Sequence, residues 1–319
     1  MNGLLTRRSF LERATCAGAL LAVARPAAAA GGMYVSLNGS LTQGVSGTDK
    51  IRLAASVGYG GVDWDLGPAK TAGREATQAL FADLKVRPSI VNMPMARPLP
   101  FGGESEAFQQ ALTQLADDAA FTAGIGCRKM MLVLPASTTQ DRQEQRKLVR
   151  DRLAVVAEVL QRSQIRLGLE FLGPVYMRMG RAGGPPATPF IWNLPDTLEL
   201  AKEIGPNVGI ILDAWHWHHS GSTTADILAA GKARIVHVHV SDAKETPAAD
   251  VRDNQRLMPG EGVIDLMGFF QALTKIGYED GVSPEPLGRI PAAMPAADAA
   301  RLGLETTLAV MKKAGAASA

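Results

Sequence analysis

The sequence is poor in thiols and imidazoles. Two cysteines occur in 319 residues, and all five histidines fall within residues 216–239. Cys127 is the only thiol after the first 30 residues, so the rest of the chain cannot form an intramolecular disulfide. It precedes the apolar run MMLVL, which predicts a buried and unreactive side chain.

The chain also lacks a large charge excess, with 33 Lys and Arg against 31 Asp and Glu. Residues 1–30 contain four arginines and one glutamate, so the remainder is close to neutral. This balance gives no general attraction to nucleic acid, and we expect no nucleic-acid partner. No long, uniformly apolar run follows the N-terminus, so we expect no stable membrane association. A homo-oligomer remains open.

Residues 1–30 show the order of an export signal. TRRSFL (6–11) is followed by the modest apolar stretch CAGALLAVA (16–24) and then by an alanine-rich end. This order is typical of a twin-arginine signal peptide that is cleaved near residues 28–30. We therefore expect an exported protein, periplasmic or extracellular, whose mature domain is residues 31–319.

Strand-like and helix-like segments alternate along residues 31–319. Eight short apolar runs closed by Gly, Pro, Asn or Asp are predicted strands: residues 33–40, 60–67, 85–93, 129–136, 166–174, 207–215, 233–242 and 281–288. Amphipathic segments such as 48–58, 104–124 and 140–163 lie between them. The predicted fold is a single (β/α)₈ TIM barrel of the α/β class. A doubly wound sheet is the alternative, but LNGSLTQGVSG lacks the glycine spacing of its phosphate loop.

Two long segments follow predicted strands five and seven. Residues 173–194 are rich in Gly and Pro, and residues 241–262 contain Lys244 and Arg256. In a barrel both belong to the C-terminal face, where active sites form. We predict that they act as lids or binding loops.

Four consecutive predicted strands end in potential metal ligands. Strand alternation places Glu170, Asp213, His239 and Glu285 near the C-terminal ends of strands five to eight, on the inward face. No lysine or arginine lies within these strand ends, and burying three unpaired carboxylates is costly. We therefore predict one divalent metal ion. This donor set favours Mn²⁺, with Mg²⁺, Co²⁺ and Zn²⁺ as alternatives.

The motifs from residue 166 onward resemble a known family. LGLEFLGP, LDAWHW, HVHVSD, PGEGVID and SPEP occur in this order and look like the sugar phosphate isomerase/epimerase superfamily, the xylose isomerase-like TIM barrels. That group includes ketose 3-epimerases, inosose dehydratases and endonuclease IV. The resemblance spans residues 33–315 and implies a metal held by Glu170, Asp213, His239 and Glu285. It also implies that His216, placed on a loop after strand six, reaches the substrate.

The resemblance implies proton abstraction beside a carbonyl or hydroxyl, with a metal-stabilised enediolate. Glu170 and Glu285 are the implied acid and base, and His216 would polarise an oxygen or carry a proton. Ketose 3-epimerases usually carry an arginine soon after the strand-seven histidine. Here Lys244 or Arg256 would have to serve, and a surface salt bridge is the other interpretation of Arg256.

The remaining aromatic residues near the predicted site carry weaker signals. Trp215 is a candidate floor for a sugar ring, or a packing residue. His237 is predicted to lie behind the ligands rather than among them. We expect His218 and His219 to have no role in the chemistry.

Expected export directs the choice of substrate, because sugar phosphates are intracellular metabolites. The predicted function is a metal-dependent isomerase or epimerase of a non-phosphorylated sugar, keto-sugar or cyclitol. Two alternatives stay open: a lyase or dehydratase that cleaves a keto-sugar or keto-glycoside by β-elimination at the same site, and a non-catalytic sugar-binding barrel. An endonuclease IV-like site needs several metals, for which five histidines are too few.

Overall fold

Parallel strand pairing closes the chain into a barrel. The computed structural model describes residues 32–96, 99–102, 105–180 and 184–316. Within them the strands are β1 (Tyr34–Leu37), β2 (Gly61–Trp64), β3 (Arg87–Asn92), β4 (Lys129–Val133), β5 (Ser137–Thr138), β6 (Arg166–Glu170), β7 (Thr188–Pro189), β8 (Val208–Asp213), β9 (Ile235–Val240) and β10 (Gly281–Pro284). The order around the closed barrel is β1–β2–β3–β4–β6–β8–β9–β10. The predicted (β/α)₈ barrel is confirmed, whereas the predicted signal, residues 1–30, lies outside the described residues.

Helices connect successive barrel strands and cover the outside of the barrel. In the described ranges they are α1 (Asp49–Val57), α2 (Leu66–Ala72), α3 (Arg74–Leu84), α4 (Ser105–Gly124), α5 (Arg142–Arg162), α6 (Val175–Arg178), α7 (Leu194–Ile204), α8 (Ala214–Ser220), α9 (Thr224–Arg234), α10 (Leu266–Lys275) and α11 (Ala296–Lys313). The sequence pattern did not predict α2 and α3. The inward stripe of α3 is short: Thr77 and Phe81 are buried, and Leu80 and Leu84 pack half-buried against the core.

Both long segments that were expected on the C-terminal face are tied to the barrel rim. In residues 173–194, β7 pairs antiparallel with β5, which follows β4. In residues 241–262, Asp242 and Leu257 form an antiparallel bridge. The Asp242 carboxylate also accepts hydrogen bonds from the backbone N–H groups of Gly260 and Ile264, at 3.0 and 2.9 Å. The second segment is therefore a closed loop with a fixed base.

Within the strands that the structure describes, two β-bulges interrupt the regular alternation, one on β3 and one on β9. Ile210 pairs with Ile235 and Ile211 with His237, so Val236 is the extra residue on β9. Val236 then packs with Ile90 and Ile211 in a small apolar cluster of its own. Val236 therefore faces the barrel interior, whereas strict alternation along β9 would place it on the outer face with Val238 and Val240. The bulge changes the alternation only up to Val236, and His237 and His239 keep the inward face that alternation predicted.

The main apolar core lies between the strands and the surrounding helices and includes Leu169, Leu212 and Val238. Cys127 is fully buried there, as predicted, and burial raises the pKa of its thiol to about 11. Among the described residues, no helix combines the length and the apolar character that a bilayer crossing requires.

Candidate metal centre

The four predicted ligands converge at the C-terminal end of the barrel. Glu170 ends β6, Asp213 ends β8, His239 lies one residue before the end of β9, and Glu285 follows β10 directly. Asp213 pairs in register with His239 across neighbouring strands. One donor atom from each of the four residues lies within 4.8 Å of the others. The structure thus brings together the full set that strand alternation proposed.

His239 lies between two of the carboxylates. Its Nδ1 is 3.2 Å from Glu170 Oε1 and 3.5 Å from Glu285 Oε2. Burial alone would lower the pKa of His239, but Glu285 and Glu170 outweigh it and raise the pKa to about 10. Burial raises the pKa of Glu285 to about 7, against the opposing charges of His239 and Arg256. An imidazolium therefore occupies the carboxylate cluster when no metal is bound.

Arg256 is a second cation inside this cluster. Its guanidinium is buried, with Nη1 2.7 Å from Asp213 Oδ2 and 3.0 Å from Glu285 Oε2. Nε donates to Asp253 Oδ1 at 2.9 Å, and Cζ lies 4.8 Å from the centre of the Trp215 ring. The expectation that no basic side chain pairs the carboxylates is wrong, because the long loop after β9 returns Arg256 to the strand ends. A surface salt bridge is likewise wrong, and a substrate contact by Arg256 stays a prediction.

Asp213 has a structural contact on each carboxylate oxygen. Oδ2 accepts from Arg256, and Oδ1 accepts from the backbone N–H groups of Trp215 at 2.7 Å and His216 at 3.3 Å. Asp213 is therefore the N-cap of α8. Although burial opposes it, Arg256 and His216 hold the pKa of Asp213 well below its usual value. The residue is a carboxylate at any ordinary pH.

His216 lies on helix α8, not on a loop as predicted. Its ring is buried, with Nδ1 3.3 Å from the backbone nitrogen of Gly173 and Nε2 3.3 Å from Arg256 Nη2. Both neighbours are donors, whereas a neutral imidazole accepts at one nitrogen only. Burial lowers the pKa of His216, which favours this neutral form. The role of His216 at the substrate stays a prediction.

Three further rings of the histidine-rich segment, those of Trp215, His218 and His219, contact one another. Trp215 is buried, and its ring contacts the rings of His216 and His219 at centroid distances of 5.3 and 4.4 Å. Its position beneath the Arg256 guanidinium supports a packing role, and the sugar-floor role stays a prediction. His218 and His219 are not among the candidate metal ligands of the described residues. Burial lowers the pKa of His219 to about 4.

Sequence reasoning missed Asp63, on β2. Its Oδ2 lies 3.8 Å from His239 Nε2, and its Oδ1 lies 3.4 Å from His237 Nε2. Burial opposes ionisation, but His237 and His239 lower the pKa of Asp63 to about 2. The available signal was strand alternation in GVDWD, which places Asp63 on the face opposite to Val62 and Trp64.

The donor set fits a divalent cation. Three carboxylates and one imidazole within a few ångströms are the ligand types that bind Mn²⁺, Mg²⁺, Co²⁺ or Zn²⁺. Two protein cations, imidazolium His239 and Arg256, neutralise part of the same charge. A metal would take the Nδ1 position of His239 by replacing its proton.

The chain is similar in sequence to known enzymes of one family. Residues 51–312 match the family described as xylose isomerase-like TIM barrel. An inosose isomerase of Bacillus subtilis is 29% identical over 192 residues, which cover 58% of this chain and 63% of the relative. The chain thus spans less than two thirds of that relative's length.

Two solved structures have the same fold. A xylose isomerase domain protein from Alicyclobacillus acidocaldarius is 27% identical, with a TM-score of 0.79, over 89% of this chain and 99% of that protein. The zinc-bound IOLI protein is 21% identical, with a TM-score of 0.74, over 88% and 99% of the two chains. Each superposes on nearly the whole barrel.

Proposed function

Because the chain belongs to the xylose isomerase-like TIM barrel family, we propose that it is a divalent-metal-dependent isomerase or epimerase of a non-phosphorylated sugar, keto-sugar or cyclitol. The observation that carries this proposal is the convergence of Glu170, Asp213, His239 and Glu285 on one point. The inosose isomerase relative supports a polyhydroxylated ring as the substrate. The reaction moves a proton on carbon beside a carbonyl.

The four converging residues would hold one ion. It would act as a Lewis acid that stabilises negative charge on the substrate oxygens as the carbon-bound proton leaves. The oxygen-rich donor set supports Mn²⁺ as the first choice. The zinc atom of the IOLI protein keeps Zn²⁺ among the candidates.

Glu170 and Glu285 are the proton-transfer groups in this proposal. Both carboxylates contact His239, and the side chain of Glu285 is 18% exposed against 7% for Glu170. One carboxylate removes the proton from carbon, and the other, or a water beside it, returns a proton. Arg256 holds Asp213 and Glu285 in place, and His216 orients a substrate oxygen.

The charge of the site supports a substrate without phosphate. The site contains five carboxylates: Glu170, Asp213 and Glu285 in the cluster, and Asp63 and Asp253 beside it. Arg256 and a divalent ion together do not neutralise five ionised groups. A phosphate dianion would therefore meet a net negative site, whereas a neutral polyol would not. Predicted export leads to the same substrate class.

Deuterium incorporation tests the proposal. The metal-loaded protein is incubated in D₂O with free ketoses, keto-cyclitols, keto-glycosides and ketose phosphates, and products are followed by NMR. We expect a carbon–deuterium bond and an isomeric product from a non-phosphorylated compound. Release of water or an aglycone would instead identify the lyase, and binding without exchange would identify the sugar-binding barrel. A wild-type protein that binds no metal would overturn the mechanism.

Export through the twin-arginine route is a separate part of the proposal. The conservative double substitution Arg7→Lys with Arg8→Lys keeps the charge of the segment but alters the arginine pair. We expect the wild type in the periplasmic fraction or the medium and the double variant in the cytoplasm. An equal distribution of the two proteins would contradict export by this route.

A further inference from the structure

The interior of the barrel is polar beside the candidate metal centre. Barrel interiors of this fold are usually filled by branched aliphatic side chains. Here inward positions of five strands carry polar groups instead: Ser36, Asp63, Ser89, His237 and Ser283. Burying polar groups costs free energy unless they are hydrogen-bonded to one another. The hydrogen bonds of this layer therefore indicate what it positions.

Asp63 is the centre of this polar layer. Its Oδ1 accepts hydrogen bonds from Ser36 Oγ at 2.8 Å and Ser283 Oγ at 2.9 Å. Its Oδ2 accepts from Asn38 Nδ2 at 3.1 Å. The β-bulge at Ser89, between the pairs Val62–Pro88 and Asp63–Ile90, lies beside it. Hydrogen-bond donors on β1, just after β1 and on β10 thus fix the carboxylate.

The carboxylate of Asp63 faces the side of the His239 ring that points away from the other ligands. Nδ1 of His239 contacts Glu170 and Glu285. Nε2 is buried and has no hydrogen-bond partner within the described part of the chain. The Oδ2 atom of Asp63 is 3.8 Å from it, which is outside hydrogen-bond range by less than 1 Å.

We propose that Asp63 is a positioning residue that holds His239 as its Nε2–H tautomer and so aims the Nδ1 lone pair at the metal. This inference rests on the proposed function, because it requires an ion at the four converging residues. An imidazole that binds a metal through one nitrogen carries a proton on the other, and that N–H needs an acceptor. A shift of under 1 Å makes Asp63 Oδ2 this acceptor.

A second metal ion is the competing explanation, since donor atoms of Asp63, His237 and His239 also lie within 4.8 Å of one another. The contacts argue against it. Both Asp63 oxygens already accept hydrogen bonds, and His237 Nε2 lies 2.7 Å from Ser283 Oγ. Two ions would also strip both nitrogens of His239 of their protons. The number of ions per chain separates the two explanations.

The test compares Asp63→Asn with Asp118→Asn by calorimetric titration of Zn²⁺. Asp118 is also buried and ion-paired, with Lys70, but it lies on α4 outside the barrel interior. We expect one Zn²⁺ per chain in all proteins, with an affinity about 10–100-fold lower in Asp63→Asn and unchanged in Asp118→Asn. Melting of the metal-free proteins checks that each is folded. If Asp63→Asn does not fold, Ser36→Ala removes one anchor of Asp63, and the expected loss is severalfold.

The tautomer of the His239 ring is a more specific measurement, because a general loss of stability would not change it. In the Zn²⁺-loaded wild type, ¹⁵N–¹H spectra should show His239 protonated at Nε2, and this proton should exchange with water faster in Asp63→Asn. Equal Zn²⁺ affinity of a folded Asp63→Asn variant would overturn the positioning role. So would two ions in the wild type and one in Asp63→Asn. A wild type that binds no Zn²⁺ or Mn²⁺ would overturn the proposed function and this inference together.

Discussion

Arg256 Nη1 lies 2.7 Å from Asp213 Oδ2, and neither side chain is exposed to solvent beyond 1%. The ion pair is formed inside the carboxylate cluster, so the protein supplies part of the positive charge that the cluster requires. A buried pair of this kind is strongly destabilised when one partner is removed, because the other charge is left uncompensated. Asp213 and Glu285, which contact Arg256, are also proposed metal ligands, so Arg256 and the metal would neutralise the same carboxylates.

Replacement of Arg256 by methionine should therefore have a metal-dependent effect. We expect the free energy of unfolding of metal-free Arg256→Met to fall by about 3–5 kcal/mol. Added Mn²⁺ should restore more stability to the variant than to the wild type, because the ion neutralises the same carboxylates. Urea unfolding with and without Mn²⁺ measures both. Arg289→Met, which breaks the exposed pair with Glu261, should cost only about 0–1 kcal/mol. Equal stabilisation of Arg256→Met and wild type by Mn²⁺ would contradict this account.

Metal binding should release a proton from His239. The pKa of His239 is raised to about 10, so the metal-free protein holds this proton near neutral pH. The pKa of His239 is higher in the folded protein than in the unfolded chain, so its contacts with Glu170 and Glu285 stabilise the metal-free fold. This stabilisation is complete below pH about 6.5 and is lost as the pH rises through about 10. Calorimetry at pH 8 in two buffers of different ionisation enthalpy should show about one proton released per ion. His239→Asn should release none, and a zero value for the wild type would exclude displacement at Nδ1.

Gly173 should be intolerant of any side chain. A Cβ at this position would collide with the backbone oxygen of His216 and lie 2.9 Å from the backbone nitrogen of Ser220, both on α8. These are backbone atoms, which cannot rotate away as a flexible side chain can, so the whole helix would have to shift. We expect Gly173→Ala to displace α8 and to lower the free energy of unfolding in urea by about 1–3 kcal/mol. Near-ultraviolet circular dichroism of Trp215 and Trp217 should change as well. Gly39→Ala is the control, because a Cβ there would meet no atom of the described residues within 4 Å. Equal stability of the two variants would disprove the close contact.

The two glutamates should be separable from metal binding. Glu170→Gln and Glu285→Gln keep the shape and an oxygen donor, but they remove the proton-transfer group. We expect turnover to fall about 10²–10⁴-fold in each at saturating Mn²⁺. Metal content, measured on the same samples, should show that the ion is still bound. Normal turnover in either variant would remove that residue from the proposed chemistry, and Glu158→Gln, in an exposed pair on α5, serves as control.

Local periodicity predicted much of the fold and of the metal centre. Glu170 and Asp213 end regular strands, so period-two alternation was enough to place them inward. His239 kept its predicted face even though the bulge at Val236 altered the residues before it. Alternation is a property of neighbouring residues, and it holds wherever the strand is regular.

Other parts of the site depend on contacts that no local pattern reveals. Arg256 reaches Asp213 from 43 residues further along the chain, through a loop without periodicity. Alternation places Asp63 on the inward face of β2, but its hydrogen-bond partners come from β1 and β10, so its own strand does not show what it contacts. The histidines and tryptophans of 214–220 are weak helix formers, so α8 depends on its N-cap and on packing rather than on propensity.

Asp213 is both the N-cap of α8 and a member of the carboxylate cluster. Selection for a stable helix and selection for the metal site therefore act on the same residue. A lineage that abandoned the metal would still be under pressure to keep Asp, Asn, Ser or Thr at this position, since α8 needs its cap. The presence of aspartate at 213 in a distant homologue is therefore weak support for a working centre. Glu170 and Glu285, which cap none of the described helices, are the more informative positions to compare.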